Sequence, residues 1–286
     1  MILDTNIRAF VDFYLTYTNY LQSKTREPNG RLTAGFLWQP KRFQLLKYLQ
    51  FIDKPAPDPY SLRKFKRGVD VEAHFVSMCK EMGILTDTQK EFTYRGVYGL
   101  GDTVLDSSTF NEASVMSKLD PDIVALMMMK TPQVVQNFLA IKERVKSLPK
   151  AVYEVKSVKN SSYKWIVDKG EISWHYKLQA GLYGLADNNE HFGLAFIASD
   201  DLREHVAVFK TREMKAEIDR IIDEYEAMVK DWEEHRKVPA WEVHDKWMDK
   251  EDYMAYDPFW ARCSEAEYVK TAEQLISMGL SNKGAK

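Results

Sequence analysis

Apolar residues recur at three- and four-residue steps in several stretches of the chain, which is the spacing of one helix face. In the first fifty residues the positions that follow this pattern are Phe10, Phe13, Tyr14, Tyr17 and Leu21. The same spacing predicts helices over 68–82, within 111–150, and over 174–185 and 214–236. The proline-rich segment 54–60 predicts a loop, because proline lacks an amide hydrogen and restricts the residue before it.

Other stretches are rich in β-branched and aromatic residues, which favour strands. Residues 91–105 predict a hairpin of two strands, 151–158 a single strand, and 191–198 with 205–211 a second hairpin. This order of helices and strands predicts an α/β or α+β fold with a central mixed sheet flanked by helices. The last fifty residues are rich in tryptophan and aspartate, and no pattern places them.

Composition and charge narrow the class of protein. The chain has 286 residues, of which 45% are hydrophobic, so it can bury a sizeable core. A formal net charge of -2 gives no global basic field, and a nucleic-acid partner would need a local basic groove. The two cysteines, Cys79 and Cys263, are too few for a Cys-rich zinc site or a four-cysteine iron–sulfur cluster.

Targeting signals are not visible in the sequence. The first residues show no basic segment followed by an apolar one, so we expect no secretory signal. The longest uninterrupted apolar run, 123–129, is far too short to span a bilayer. We therefore expect a cytoplasmic protein.

Candidate chemistry begins with Asp102 and the later sequence Glu154-Val155-Lys156. Alternate residues of a strand share a face, so Glu154 and Lys156 should point the same way and Val155 into the packed side. Carboxylate oxygens suit hard cations such as Mg²⁺. A neighbouring lysine can stabilise charge that develops on a phosphate. The pattern fits metal-assisted phosphodiester cleavage.

A bare Glu-x-Lys pattern has little specificity. The second copy, Glu213-Met214-Lys215, begins an amphipathic helix and is best explained as a solvated helix face. Glu154 differs because it lies in a β-rich run between Val152 and Val158, where a charged pair has no packing role.

Two further pairs have both a structural and a functional explanation. Gln179 and Tyr183 are four residues apart and share a helix face, where the tyrosine could simply be core and the glutamine surface. Glu72 and His74 lie two residues apart and face nearly opposite ways on a helix, so both should not serve one metal. A helix-start acid often only compensates the helix dipole.

Taken in order, the motifs resemble the RecB-like branch of the PD-(D/E)XK nucleases, which includes phage-type exonucleases. They are Gly68…Glu72, Gly99-x-x-Asp102, Glu154-x-Lys156 and Gln179-x-x-x-Tyr183, and the resemblance covers about 36–235. It implies a restriction-endonuclease-like core with helical insertions. It also implies metal ligation by Asp102, Glu154 and the Val155 carbonyl, with Glu72 at a position often held by histidine. Lys156 would be the catalytic lysine, and Gln179 and Tyr183 would support the site or contact DNA.

Three departures from the family pattern are visible. Asp102 and Glu154 are 52 residues apart, which indicates an inserted helical pair at about 111–150. The basic residues of this insertion could line a DNA path or belong to a solvated face; they are Lys142, Arg144, Lys146 and Lys150. The iron–sulfur cysteines of some relatives are absent, and Gly101 replaces the proline of the family name.

The sequence thus predicts a Mg²⁺- or Mn²⁺-dependent deoxyribonuclease that acts in DNA recombination, repair or phage DNA processing. The family resemblance favours an exonuclease over an endonuclease. Its partner would be single- or double-stranded DNA bound at an end, in the host cytoplasm if the protein is phage-encoded. We expect one domain over 1–286, with a core of about 36–235 and a C-terminal extension of about 237–286. The alternative is a catalytically inactive nuclease-like protein that binds DNA or assists assembly. No phosphate-binding loop, His-Glu-x-x-His motif or Gly-x-Ser-x-Gly motif is present.

Overall fold

The computed structural model describes residues 2–23, 31–49, 57–239 and 273. Its helices are α1 (Ile2–Ser23), α2 (Lys41–Tyr48), α3 (Pro59–Glu81), α4 (Glu112–Met116), α5 (Pro121–Lys130), α6 (Pro132–Lys146), α7 (Asn160–Lys169), α8 (Trp174–Ala186) and α9 (Thr211–His235). Its strands are β1 (Leu85–Tyr94), β2 (Val97–Leu105), β3 (Ala151–Val158), β4 (His191–Ala198) and β5 (Glu204–Lys210). Among the described residues, no helix combines the length and apolarity needed to cross a membrane.

The five strands form one sheet in the order β1-β2-β3-β4-β5. Strands β2 and β3 pair antiparallel, β3 and β4 parallel, and β4 and β5 antiparallel. Parallel neighbours need a long crossover, and α7 and α8 supply it between β3 and β4. The predicted class, a central mixed sheet flanked by helices, is confirmed.

Two apolar clusters form the core around the central strands. One combines Val71 and Phe75 of α3 with Tyr153 and Val155 of β3 and with Ile197 of β4. The other is made by alternate residues of β4 and by α7 and α8, and it includes Leu194, Phe196, Tyr163, Ile166 and Ala180. Because successive strand residues face opposite sides, β3 and β4 contribute to both clusters.

The described chain divides into two compact units. One contains the residues up to Arg63, Arg95–Tyr98 and the residues from Ala216 onward. The other contains Lys64–Tyr94 and Gly99–Lys215, and it holds all the site residues predicted above. The expected organisation as one domain, with the boundaries given above, stays a prediction.

Several predicted elements are found close to their expected limits, among them the hairpin β4–β5 and the helices α8 and α9. The insertion at 111–150 is helical, but it contains three helices, α4, α5 and α6, rather than a pair. The residues of the C-terminal extension beyond Pro239 lie outside the described part of the chain, apart from Glu273. So do residues 54–56 of the segment 54–60 predicted as a loop, and the prediction is wrong for Pro59 and Tyr60, which are helical.

Two element starts were predicted too late. Helix α3 begins at Pro59, not at Gly68, because the Asp58 side chain accepts the N–H of Ser61 and proline is favoured in the first turn of a helix. Strand β1 begins at Leu85, so the first hairpin is longer than 91–105. Its turn, Arg95-Gly96, has positive φ at both residues, 47° and 79°, as a tight two-residue hairpin requires.

Candidate active site

The pairing of β2 with β3 brings Asp102 next to Glu154. Thr103 lies opposite Tyr153 in the antiparallel register, and one further step along the two strands brings Asp102 opposite Glu154. The Oδ2 atom of Asp102 accepts a hydrogen bond of 2.7 Å from the N–H of Val155. The 51 intervening residues therefore do not separate the two acids in space.

Alternation along β3 places Glu154 and Lys156 side by side. The Nζ atom of Lys156 donates to Oε1 of Glu154 at 2.6 Å, and the Glu154 side chain is almost completely buried. Val155 points the other way into the apolar cluster that includes Phe75, as predicted. The only acid on the buried part of this strand is thus held by a lysine two residues away.

Helix α8 completes the network with Gln179 and Tyr183. Nε2 of Gln179 donates to Oε1 of Glu154 at 2.6 Å and to the hydroxyl of Tyr183 at 3.2 Å. Oε1 of Gln179 accepts from Nζ of Lys156 at 3.2 Å. Gln179 therefore bridges the acid and the lysine, and Tyr183, which is buried, lies behind it.

The two candidates on α3 lie in different surroundings. Glu72 interacts electrostatically with Asp102 and Lys156, and its carboxylate accepts a hydrogen bond from Gln89. His74 instead interacts with Glu204 of β5. The structure therefore brings Glu72, and not His74, to the group of acids formed by Asp102 and Glu154.

Burial of this cluster shifts the pKa values of its members. Burial raises the pKa of Glu154 to about 7; Lys156 opposes the shift, and Asp102 and Glu72 add to it. Burial likewise raises the pKa of Asp102 and of Glu72. Burial lowers the pKa of Lys156, but Glu154, Asp102 and Tyr176 together more than compensate, so its pKa is raised overall.

Three carboxylates share one lysine in this cluster. Mainly because of burial, each acid is harder to ionise than it would be in water. A nearby positive charge favours the ionised form of a carboxyl group. A further cation would therefore stabilise the three acids in their charged state.

One atom of the cluster has no partner in the described part of the chain. Oε2 of Glu154 is buried and accepts no hydrogen bond there. A buried carboxylate oxygen without a partner is costly, and an oxygen-binding cation such as Mg²⁺ would satisfy it. Across the described residues, no three His, Cys, Asp or Glu side chains are arranged to hold a metal ion. Asp102 and the partnerless oxygen of Glu154 fit a cation such as Mg²⁺, which commonly binds through one or two carboxylates and keeps several waters.

Gly101 is required by packing next to Asp102. A Cβ atom at this position would lie 2.7 Å from the ring of Phe92 and 2.8 Å from the side chain of Val152. The Phe92 ring stacks on Tyr183, with centroids 5.3 Å apart. Proline, which the family name has at this position, would meet the same two side chains.

Sequence reasoning missed three residues close to the site. Lys156 lies 5.3 Å from the centroid of the Tyr176 ring. His175 is hydrogen-bonded to Ser173 at 2.6 Å, and burial, with Lys156, lowers its pKa to about 4. Gln89 of β1 contacts Glu72. The sequence His175-Tyr176 just before Gln179 was a usable signal, but nothing in the sequence singles out Gln89.

The basic residues of the insertion are partly engaged with nearby acids. Lys146 pairs with Glu112 at 3.7 Å and with Glu143 at 3.4 Å, and Lys150 pairs with Asp106 at 3.3 Å. Such exposed pairs contribute little to stability. They favour a solvated face over a DNA path for these two lysines.

Comparisons with known proteins give limited similarity. No protein-family model matches the sequence, and no curated protein matches it. Among solved structures, an alkaline exonuclease (LHK-Exo) from Laribacter hongkongensis is 12% identical, with a TM-score of 0.41 over 71% of this chain and 92% of that one. The same enzyme in complex with dAMP is 11% identical, with a TM-score of 0.43 over 74% and 96%. Similarities this low assign the chain to no family, and the geometry of its own site carries the functional argument.

Proposed function

We propose that the chain is a divalent-metal-dependent DNA nuclease whose active site is built from Asp102, Glu154 and Lys156. The observation that carries the proposal is the buried network in which Glu154 is held by Lys156 and Gln179, while its second oxygen has no partner among the described residues. A purely structural ion pair would be expected to satisfy both carboxylate oxygens. The partnerless oxygen supports a site that takes a cation.

The ligands for Mg²⁺ or Mn²⁺ would be Asp102, Glu154 and the carbonyl of Val155. The N–H of Val155 points to Asp102. In antiparallel pairing a residue uses its N–H and C=O towards the same neighbour, so its carbonyl faces that side too. Glu72, close enough to interact with Asp102, is the candidate for a further or water-mediated ligand. Such a cation, when bound, polarises a phosphate oxygen and makes a bound water more acidic.

Lys156 would supply positive charge to the reacting phosphate. Its ammonium has three donors, of which Glu154 and Gln179 take two. The third can serve a phosphate oxygen or orient a water. Glu154 keeps the lysine charged in spite of its burial, and Gln179 fixes the relative position of the two side chains. The hydroxyl of Tyr183 accepts a hydrogen bond from Gln179 and so helps to position its amide.

Exonuclease action, and a role in recombination, repair or phage DNA processing, are the finer parts of the proposal. They rest on the resemblance of the four ordered motifs to RecB-like nucleases. The proposed partner is single- or double-stranded DNA bound at an end.

The test is cleavage of end-labelled and circular DNA, single- and double-stranded, with Mg²⁺, with Mn²⁺ and with a chelator. We expect cleavage of linear DNA that needs the metal and starts at ends. Cleavage of covalently closed circles would contradict the exonuclease assignment but keep the nuclease. Metal-independent DNA binding without cleavage of any substrate would instead support the alternative of an inactive nuclease-like protein.

A further inference from the structure

Gln89 combines two unusual features in the middle of β1. Its backbone has φ of 50°, in the left-handed region, although it is not glycine and lies inside a strand. Left-handed backbone is uncommon for residues other than glycine, asparagine and aspartate, and it persists where surrounding contacts enforce it. The side chain of Gln89 is exposed, so burial in the core does not enforce it.

The contacts of the Gln89 amide are with the candidate metal ligands. Its Nε2 atom donates to Oε1 of Glu72 at 2.6 Å. Gln89 also interacts with Asp102 and favours the charged form of that carboxyl group. A primary amide has two N–H donors, so one residue can hold a carboxylate of α3 and a carboxylate of β2 together.

The charge of this bridging group matters as much as its hydrogen bonds. Burial raises the pKa of Glu72, and repulsion between Glu72 and Asp102 adds to the shift. A lysine or arginine in the place of Gln89 could hold the two acids, but it would also cancel the charge that attracts a cation. A neutral amide holds them and leaves that charge in place.

We infer that Gln89 is a positioning residue, which uses its neutral amide to hold Glu72 and Asp102 in the arrangement that binds the divalent cation. The inference rests on the proposed metal site. It adds a residue from β1, a strand to which the sequence motifs assign no role. Residues that orient metal ligands typically change metal affinity by about 10–100-fold when they are removed.

The test measures Mn²⁺ binding directly, by electron paramagnetic resonance and calorimetry, without DNA. Gln89→Met keeps an unbranched side chain of similar length but has no donor, and we expect its Mn²⁺ affinity to fall about tenfold or more. Gln89→Lys restores donors with a positive charge, and we expect Mn²⁺ affinity to fall at least as far. Gln133→Met, at an exposed position of α6, is the matched control and should bind as the wild type does.

The lysine variant separates positioning from a merely structural role. If Gln89 only ties α3 to the sheet, Gln89→Lys will restore Mn²⁺ binding, and that result overturns the inference. If Gln89→Met binds Mn²⁺ as tightly as the wild type or more tightly, the inference about Gln89 is overturned as well, while the proposed metal site is not. Absence of Mn²⁺ binding by the wild type overturns the metal site and the inference together.

Protein stability is measured alongside, by thermal unfolding in a chelator. If Gln89→Met fails to fold, Gln89→Gly replaces it in the Mn²⁺ binding test, because glycine adopts the left-handed backbone at no steric cost. We expect Gln89→Gly to fold at least as stably as the wild type and still to lose Mn²⁺ affinity. A stable glycine variant with wild-type affinity contradicts the role of the amide.

Discussion

The N–H of Val155 donates a 2.7 Å hydrogen bond to the carboxylate of Asp102, across strands that are more than fifty residues apart in sequence. This contact fixes the orientation of an acid whose burial raises its pKa. It also places that acid beside Glu154, the next residue back along β3. The proposed metal site therefore includes a hydrogen bond from the main chain of β3 to an acid of β2.

Asp102→Asn removes the charge of this acid but keeps the shape of its side chain. The amide oxygen can still accept from Val155, and the cost of burying a charge disappears. We expect thermal stability in a chelator to be unchanged or increased, while Mn²⁺ affinity and cleavage fall by about 10²-fold or more. Asp106→Asn, just beyond the end of the same strand, is the control and should keep its cleavage. A variant that cleaves normally excludes Asp102 as a ligand.

The raised pKa of Glu154 predicts how stability depends on pH in the absence of metal. The folded value is about 7, above the ordinary value of about 4.3 in an unfolded chain. The folded state thus binds the proton of Glu154 more tightly than the unfolded state does. The contribution of this proton to stability is complete below the unfolded pKa and is lost as pH rises through the folded pKa of about 7. The stability of the wild type relative to Glu154→Gln should therefore fall between about pH 5 and pH 8. Denaturant unfolding in a chelator measures this, and a constant difference would contradict the shift.

Glu72 and His74 make a second pair with opposite expectations. Glu72 belongs to the acidic cluster, whereas His74 interacts with Glu204. We expect Glu72→Ala to abolish cleavage and His74→Ala to leave most of it. Single-turnover rates at saturating Mg²⁺ compare the two variants. The reverse result would make His74, and not Glu72, the site residue contributed by α3.

Two glycines of the second unit should respond to alanine in opposite directions. Alanine at position 101 meets Phe92 and Val152 at less than 3 Å, and such overpacking costs about 1–3 kcal/mol of unfolding free energy. Gly68 lies inside α3 with open space around it, so Gly68→Ala should stabilise by about 0.5–1 kcal/mol. Denaturant unfolding measures both. Equal effects of the two substitutions would show that the packing around Gly101 is not as described.

The sequence was a good guide where periodicity and local chemistry agree. The β-branched and aromatic content of 151–158 predicts strand β3, and the apolar spacing of 174–185 predicts helix α8. Alternation on the strand and the four-residue spacing on the helix then place Glu154 with Lys156 and Gln179 with Tyr183. Motif order alone indicated that Asp102 and Glu154 would converge. These features depend on neighbours along one strand or helix, which a single sequence displays.

Other features depend on contacts that no local pattern displays. The start of α3 was missed because proline was taken only as a helix breaker, although Pro59 stands next to a capping Asp58. Gln89 combines a left-handed backbone with side-chain interactions with two acids of other elements, Glu72 and Asp102. Gln179 of α8 donates to Oε1 of Glu154, whereas Oε2 has no partner among the described residues, and no local pattern displays either feature.

The most direct measurement of the central claim is single-turnover cleavage by Lys156→Ala, beside titrations of Mn²⁺ and DNA at fixed salt. Asp102 and Glu154 remain in this variant, so metal should still bind, and DNA affinity should fall little because it comes mainly from distributed phosphate contacts. Loss of the cation that stabilises the transition state should slow cleavage by about 10²–10³. Lys215→Ala, in the second Glu-x-Lys sequence, is the matched control and should cleave as the wild type does. Wild-type cleavage by Lys156→Ala would contradict the assignment of Glu154-Val155-Lys156 as the active strand.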